Sequence, residues 1–247
     1  MFWGFFLIVI SVMWGWLIPC MARRFAKFMP ATPAYAFYML IKPRKYAKKT
    51  SVEYRRLVKE YRLRSLMYAL VLGGLGGVFS LFLIKFGLNL AICLGGMLFA
   101  WIAALLAEID YRIFLLPDIL TVPLLIFGFV FSACVESVGT NIYGDFPAVG
   151  TVQSSIGALL GYFIPVLASM FMLKKSKDAF GGGDIKLLAA IGAWMGIRGL
   201  FFTILSSCVL FGVYMLVRGQ KSGAFGPALT MAAVVYMVYS VANFVAF

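Results

Sequence analysis

The sequence predicts an all-α, polytopic transmembrane helical bundle of about eight spans with one basic cytoplasmic loop. Three observations carry that prediction. The 247 residues are 63% hydrophobic, with a mean hydropathy of +0.98, which sets the chain apart from soluble domains. Apolar runs long enough to cross a hydrocarbon core of about 30 Å recur along its whole length. The charges are segregated as well: 13 of the 22 Lys and Arg fall between Arg23 and Arg64, and basic residues near span ends mark the cytoplasmic side.

The first run, 1–19, has no basic residue ahead of it, whereas Arg23, Arg24 and Lys27 follow it. It reads as a retained first span with its N-terminus outside, not as a signal peptide. Residues 20–65 form the basic loop. Pro30, Pro33 and Pro43 make its first part irregular, and Ser51 caps a helix running to Arg64. Leu57, Val58, Tyr61 and Leu63 give that helix an apolar side suited to the membrane surface. Residues 66–247 hold the remaining spans, at 66–86, 89–108, 119–135, 152–173, 185–198, 200–217 and 227–246. The sixth of the eight is short for a crossing at about 1.5 Å per residue. Counting from an outside N-terminus puts Arg112, Lys174, Lys175, Lys177, Arg218 and Lys221 on cytoplasmic segments. The outside loop from Glu136 to Gly150 carries two acids and no base, and Lys85 and Arg198 are the exceptions.

The net charge of +13 is accounted for by topology and attraction to anionic lipid headgroups, so no nucleic-acid partner is expected. Cys20, Cys93, Cys134 and Cys208 are scattered, without a Cys-x-x-Cys pair, and the chain has no histidine. Buried structural thiols are expected, and no metal site. Without an imidazole, Ser-His-Asp and Cys-His catalysis are excluded. Carboxylates, lysines and tyrosines remain.

Only nine acids occur in the chain, and an ionisable group at a span edge costs free energy unless it has a partner or a function. On the expected topology Asp110 closes the third span, Asp118 opens the fourth and Asp184 opens the sixth, all at the cytoplasmic edge. Two such acids facing each other would share one proton near neutral pH. One carboxylate could then take a proton from water while the other donates to a carbonyl oxygen. Gly181, Gly182 and Gly183, just before Asp184, allow positive φ and the approach of an extended chain. Alternatively they break a helix or pack tightly. Asp118 reads as a helix N-cap after Pro117. Lys186 reads equally as a topological charge or as a cation acting on Asp184.

These residues resemble the type IV prepilin peptidases, members of the Gly-x-Gly-Asp intramembrane aspartyl proteases. Ile109-Asp110 with Leu115-Leu116-Pro117-Asp118-Ile119-Leu120-Thr121 resembles the family's first aspartate segment. Phe180-Gly181-Gly182-Gly183-Asp184-Ile185-Lys186, continuing to Gly192-Ala193-Trp194-Met195-Gly196, resembles the second, and Phe225-Gly226-Pro227 a third. The resemblance implies a catalytic pair, Asp110 and Asp184, with Gly181 and Gly183 as motif glycines and Asp118 and Lys186 as pattern residues outside the catalytic pair. It implies cleavage of the short basic leader of prepilins or pseudopilins at the cytoplasmic face of the bacterial inner membrane. It also implies work alongside a pilus or type II secretion assembly, and no cofactor for proteolysis. Many members also methylate the new N-terminus with S-adenosylmethionine. Those members commonly carry two Cys-x-x-Cys pairs in the first loop, where this chain has only Cys20, so zinc is not expected and methylation is left open. A transporter using intramembrane carboxylates is the alternative from another class; both acids at one face, not near the midplane, speak against it. A presenilin-like protease is disfavoured by the Leu-Pro-Asp context, and a non-enzymatic assembly subunit would not need both acids.

Overall fold

The structure is a computed structural model that describes residues 2–27, 52–137, 146, 149–172, 181–219 and 223–246. Pro30, Pro33, Pro43, the Ser51 cap, Asp145, Lys174, Lys175, Lys177, Phe180 and Lys221 lie outside the described residues. Among the described residues there are seven helices: α1 (Phe2–Lys27), α2 (Val52–Phe86), α3 (Leu90–Ile113), α4 (Asp118–Ser137), α5 (Thr151–Met172), α6 (Gly182–Arg218) and α7 (Gly226–Ala246). All seven are long and apolar enough to cross a membrane. The chain is a multi-pass helical membrane protein.

Helix α6 reconciles seven helices with about eight expected spans. Its 37 residues would run about 55 Å if straight, nearly twice the apolar thickness of a bilayer. Gly196 interrupts it, with φ 66° and ψ −167°. That left-handed φ requires glycine, and it divides α6 into two legs, 182–195 and 197–218, matching the sixth and seventh expected spans. In contrast, the surface helix expected ahead of the second span is not separate. Val52–Phe86 is one 35-residue helix, because neither glycine nor proline interrupts the sequence from Val52 to Leu72.

Two compact units divide the chain, Met1–Ile113 and Phe114–Phe247. In the first, α1 buries the stripe Gly4, Leu7, Ser11, Gly15, Ile18 and Ala22, which recurs at helical spacing. The stripe lies antiparallel on α2. A Cβ added at Gly15 would stand 2.6 Å from the Tyr68 carbonyl, and one at Gly76 would stand 3.0 Å from Ser11 Oγ. Such close backbones are the small-residue packing expected of membrane helices. Helix α3 joins α1 through two indoles: Trp14 Nε1 donates to the Trp101 carbonyl at 3.2 Å, and Trp101 Nε1 donates to Ser11 Oγ at 3.3 Å.

In the second unit α6 is the central helix, touching α4, α5 and α7. Its first leg runs antiparallel to α5, with Gly157 against Gly192 and Gly161 against Leu188. It runs parallel to α4, whose Leu124 carbonyl accepts a 2.7 Å hydrogen bond from Trp194 Nε1. Trp194 also stacks on Phe131, ring centres 5.0 Å apart, and Ser154 Oγ donates to the Ala193 carbonyl at 2.6 Å. A Cβ added at Gly192 would overlap the Gly157 carbonyl. Gly192→Leu is therefore expected to lower stability by about 2–3 kcal/mol, seen as an earlier thermal melt in detergent. Gly212→Ala, where a Cβ meets nothing within 4 Å, is expected to stay within about 1 kcal/mol of wild type.

The cysteines depart from the expectation of four buried thiols. All are free; Cys93 is buried, Cys20 half-buried, and Cys134 and Cys208 exposed. A thiol behaves as a small apolar group, so the outward face of an apolar helix accommodates it as readily as the core does.

Candidate active site

The second unit brings Asp118, Lys186, Asp184 and the three glycines before it to one end of the α4–α6 pair. Helix α4 begins after Pro117, whose carbonyl accepts from the backbone N–H of Leu120 at 3.1 Å and of Thr121 at 3.2 Å. Pro117 therefore holds the cap position and Asp118 is the first helical residue. The expected side-chain cap by Asp118 is not what forms. Its carboxylate instead accepts a 2.6 Å charge-assisted hydrogen bond from Lys186 Nζ. Lys186 thus has a partner that its own stretch of sequence does not indicate.

Exposure limits what the pair contributes. The Asp118 side chain is 62% exposed and that of Lys186 41%, so the ion pair is worth at most about 1 kcal/mol of stability. Its value lies in register, since it ties the first turn of α4 to the turn that carries Asp184. If this end carries catalysis, Asp118→Ala or Lys186→Ala is expected to slow it by up to about five-fold, the rate equivalent of about 1 kcal/mol. The reversed pair, Asp118→Lys with Lys186→Asp, is expected to recover most of the loss in the same rate measurement.

The three glycines before Asp184 do three different things. None has a left-handed φ; the positive-φ glycines among the described residues are Gly87, Gly196 and Gly219. Gly181 is the extended cap residue of α6, with φ −67° and ψ 133°, a conformation any residue adopts. Its carbonyl accepts from the Asp184 and Ile185 N–H groups at 3.0 and 3.3 Å. A side chain on Gly181 would come 3.2 Å from Asp184 Oδ2, so the carboxylate folds back over this residue. At Gly182 an added Cβ meets nothing within 4 Å. At Gly183 it would stand 2.7 Å from Leu116 Cβ and 3.2 Å from the Leu116 carbonyl oxygen. The close approach expected of the glycine run is thus made at Gly183 by the chain's own Leu116, and Gly182 is left open. Asp184 itself lies half-buried in the first turn of α6, the end where a helix dipole favours an anion.

In the first unit Asp110 is buried, 6% exposed, in the last turn of α3. That turn ends at Phe114, whose φ of 53° is the only positive one among the described non-glycine residues; a left-handed residue there terminates the helix. Two residues before Asp110 stands Glu108, 2% exposed, which no motif in the sequence marks. Arg64 Nη1 donates to both of its carboxylate oxygens at 3.2 Å, Tyr68 Oη donates at 3.0 Å and Arg112 Nε at 2.7 Å. The Arg64 guanidinium also lies over the Tyr111 ring, 4.5 Å from its centre. A buried carboxylate satisfied this fully is costly to disturb, since removing one partner of a buried ion pair typically costs about 3–5 kcal/mol. The Glu108–Arg112 half is visible in the sequence as an i, i+4 pair; Arg64, on another helix, leaves no local signal.

Residues 97–216, which contain Asp110, Asp118, the three glycines, Asp184 and Lys186, match the type IV leader peptidase family. Over this segment, just under half of the chain, the sequence is similar to that family. Among the curated proteins similar to this chain are several named prepilin leader peptidase/N-methyltransferase. That of Aeromonas hydrophila is 37% identical over 157 residues, covering 59% of this chain and 49% of the relative. That of Neisseria gonorrhoeae is 34% identical over 172 residues, covering 68% and 56%. That of Klebsiella pneumoniae is 37% identical over 113 residues, covering 45% of each. The chain spans about half the length of the curated relatives it matches. No solved structure matches it significantly. Among the described residues no three His, Cys, Asp or Glu side chains are grouped to hold a metal ion.

Proposed function

We propose that this chain is an integral-membrane aspartic endopeptidase. It removes the short basic leader from type IV prepilins or pseudopilins at the cytoplasmic face of the bacterial inner membrane, with Asp110 and Asp184 as the catalytic pair. The observation that carries this reading is that both aspartates, Asp110 upstream of Leu116-Pro117-Asp118 and Asp184 directly after Gly181-Gly182-Gly183, fall inside the segment that matches the family. Similarity to a peptidase family adds nothing to the transporter alternative.

In this reading the pair shares one proton. The ionised carboxylate takes a proton from water as the water oxygen bonds to the scissile carbonyl carbon, and the protonated one gives its proton to the carbonyl oxygen. Collapse of the tetrahedral intermediate breaks the C–N bond, the leaving amine takes up a proton, and one water is consumed. Gly182, open on its outer side, suits the approach of the substrate backbone beside Asp184. Membrane lipids and a pilus or type II secretion assembly are the other partners of this reading.

Co-expression with a pilin-like precursor, followed by mass spectrometry of its mature N-terminus, tests the reading. Loss of the leader is the expected result, and an uncut precursor in the presence of membrane-inserted protein would overturn it. The same spectrum registers a methyl group on the new N-terminus, the second activity in the relatives' names, for which S-adenosylmethionine would be the donor.

A further inference from the structure

We propose that Glu108 is a positioning residue for Asp110, acting through its clamp with Arg64, Arg112 and Tyr68. This rests on the reading of Asp110 as one of the catalytic pair. Asp110 occupies the least constrained part of a helix: the last turn, whose final carbonyls have no intrahelical donors and which readily frays. A buried acid there also meets the negative end of the helix dipole. The turn therefore needs an outside support, and it needs positive charge.

The clamp supplies both. Glu108 and Asp110, two residues apart, leave the helix on roughly opposite sides at 3.6 residues per turn, so the turn is gripped from the side away from Asp110. Arg64 reaches in from α2 while Arg112 belongs to the turn itself, so the ion cluster bolts the end of α3 to a neighbouring helix. Tyr111, between Asp110 and Arg112, is held by the Arg64 guanidinium stacked on its ring. Two guanidiniums on one carboxylate leave the cluster with a net positive charge, its Glu108 and Arg112 each two residues from Asp110. Glu60, 3.5 Å from Arg64 Nε but 56% exposed, belongs to the wet rim. Glu108 itself is buried away from solvent, and its hydrogen bonds to Arg64, Tyr68 and Arg112 leave it no room to transfer a proton. Positioning is the role those contacts suit.

The experiment is steady-state cleavage of a pilin-like precursor by the full chain in detergent or nanodiscs, with Asp110→Asn as reference. Glu108→Gln keeps the shape but leaves two guanidiniums facing each other without their anion. Its kcat is expected to fall at least about ten-fold from misplacement of the turn, with KM within about two-fold. Glu108→Gln with Arg112→Gln restores the wild-type charge of the cluster and should recover most of the lost kcat, an outcome that damage to packing alone would not produce. Wild-type kcat per folded enzyme in Glu108→Gln would overturn the proposal, as would a loss confined to KM, or a double variant no better than the single. Undiminished cleavage by Asp110→Asn would instead remove the catalytic assignment of Asp110, a failure visible before any Glu108 variant is compared.

Discussion

Asp184→Asn is expected to leave a co-expressed pilin-like precursor uncut, with a cleavage rate at least about a thousand-fold below wild type, while the protein still accumulates in the membrane. Asparagine matches aspartate in size and can neither accept the proton of water nor carry one to a carbonyl. Structure should be spared. Asp184 is half-buried in the first turn of α6, where losing an anion costs about 0.3–1 kcal/mol of helix-dipole stabilisation. Asp110→Asn is expected to do the same from the last turn of α3. On the proposed reading of the two acids as one catalytic pair, the double variant should be no worse than either single one. Cleavage at the wild-type rate by either single variant would sink the assignment.

The second large effect is expected at Gly183. A Cβ there stands 2.7 Å from Leu116 Cβ and 3.3 Å from the Leu116 backbone nitrogen, so Gly183→Val forces apart the Leu116-Pro117-Asp118 segment and the turn bearing Asp184. That segment cannot yield freely. The Pro117 carbonyl starts α4 and Asp118 is tied to Lys186. The turn bearing Asp184 would move instead, and a misplacement of about 1 Å costs on the order of a hundred-fold in rate. Gly182→Ala meets open space and should cleave within about two-fold of wild type. Rates for the pair, with thermal melts to exclude unfolding, check the prediction; equal effects at the two glycines would show that Leu116 packing does not set the position of Asp184.

Much of the fold is legible in the sequence because it rests on local sums. Hydropathy over some twenty residues locates a span without knowledge of its neighbours, and the basic loop between Arg23 and Arg64 yields an expected orientation by simple charge counting. Asp184 stands out because acids are scarce and its glycine context is unusual. The departures at the site concern contacts between segments. Asp118 looks like a cap on local rules, yet Lys186, 68 residues away, claims its carboxylate. The glycines look conformational, yet one is a packing contact, one is open and one lies under a carboxylate. Glu108 looks like any acid at a span edge until Arg64, 44 residues away, closes over it.

By itself the sequence determined that this is a multi-pass helical membrane protein, which segments span, and which two aspartates sit in family motifs. The first two follow from each residue's own transfer energy summed over a span; the third rests on the resemblance of Ile109-Asp110 and Gly181-Gly182-Gly183-Asp184 to the family's motifs. Only the tertiary structure decided that α6 breaks at Gly196, that Gly183 seats on Leu116, and that Glu108 binds two arginines. The last two depend on how separate segments pack, and so on where helices cross and in what register. Such a crossing is set by which small residues let the backbones approach, a joint property of both helices that no single stretch of sequence encodes.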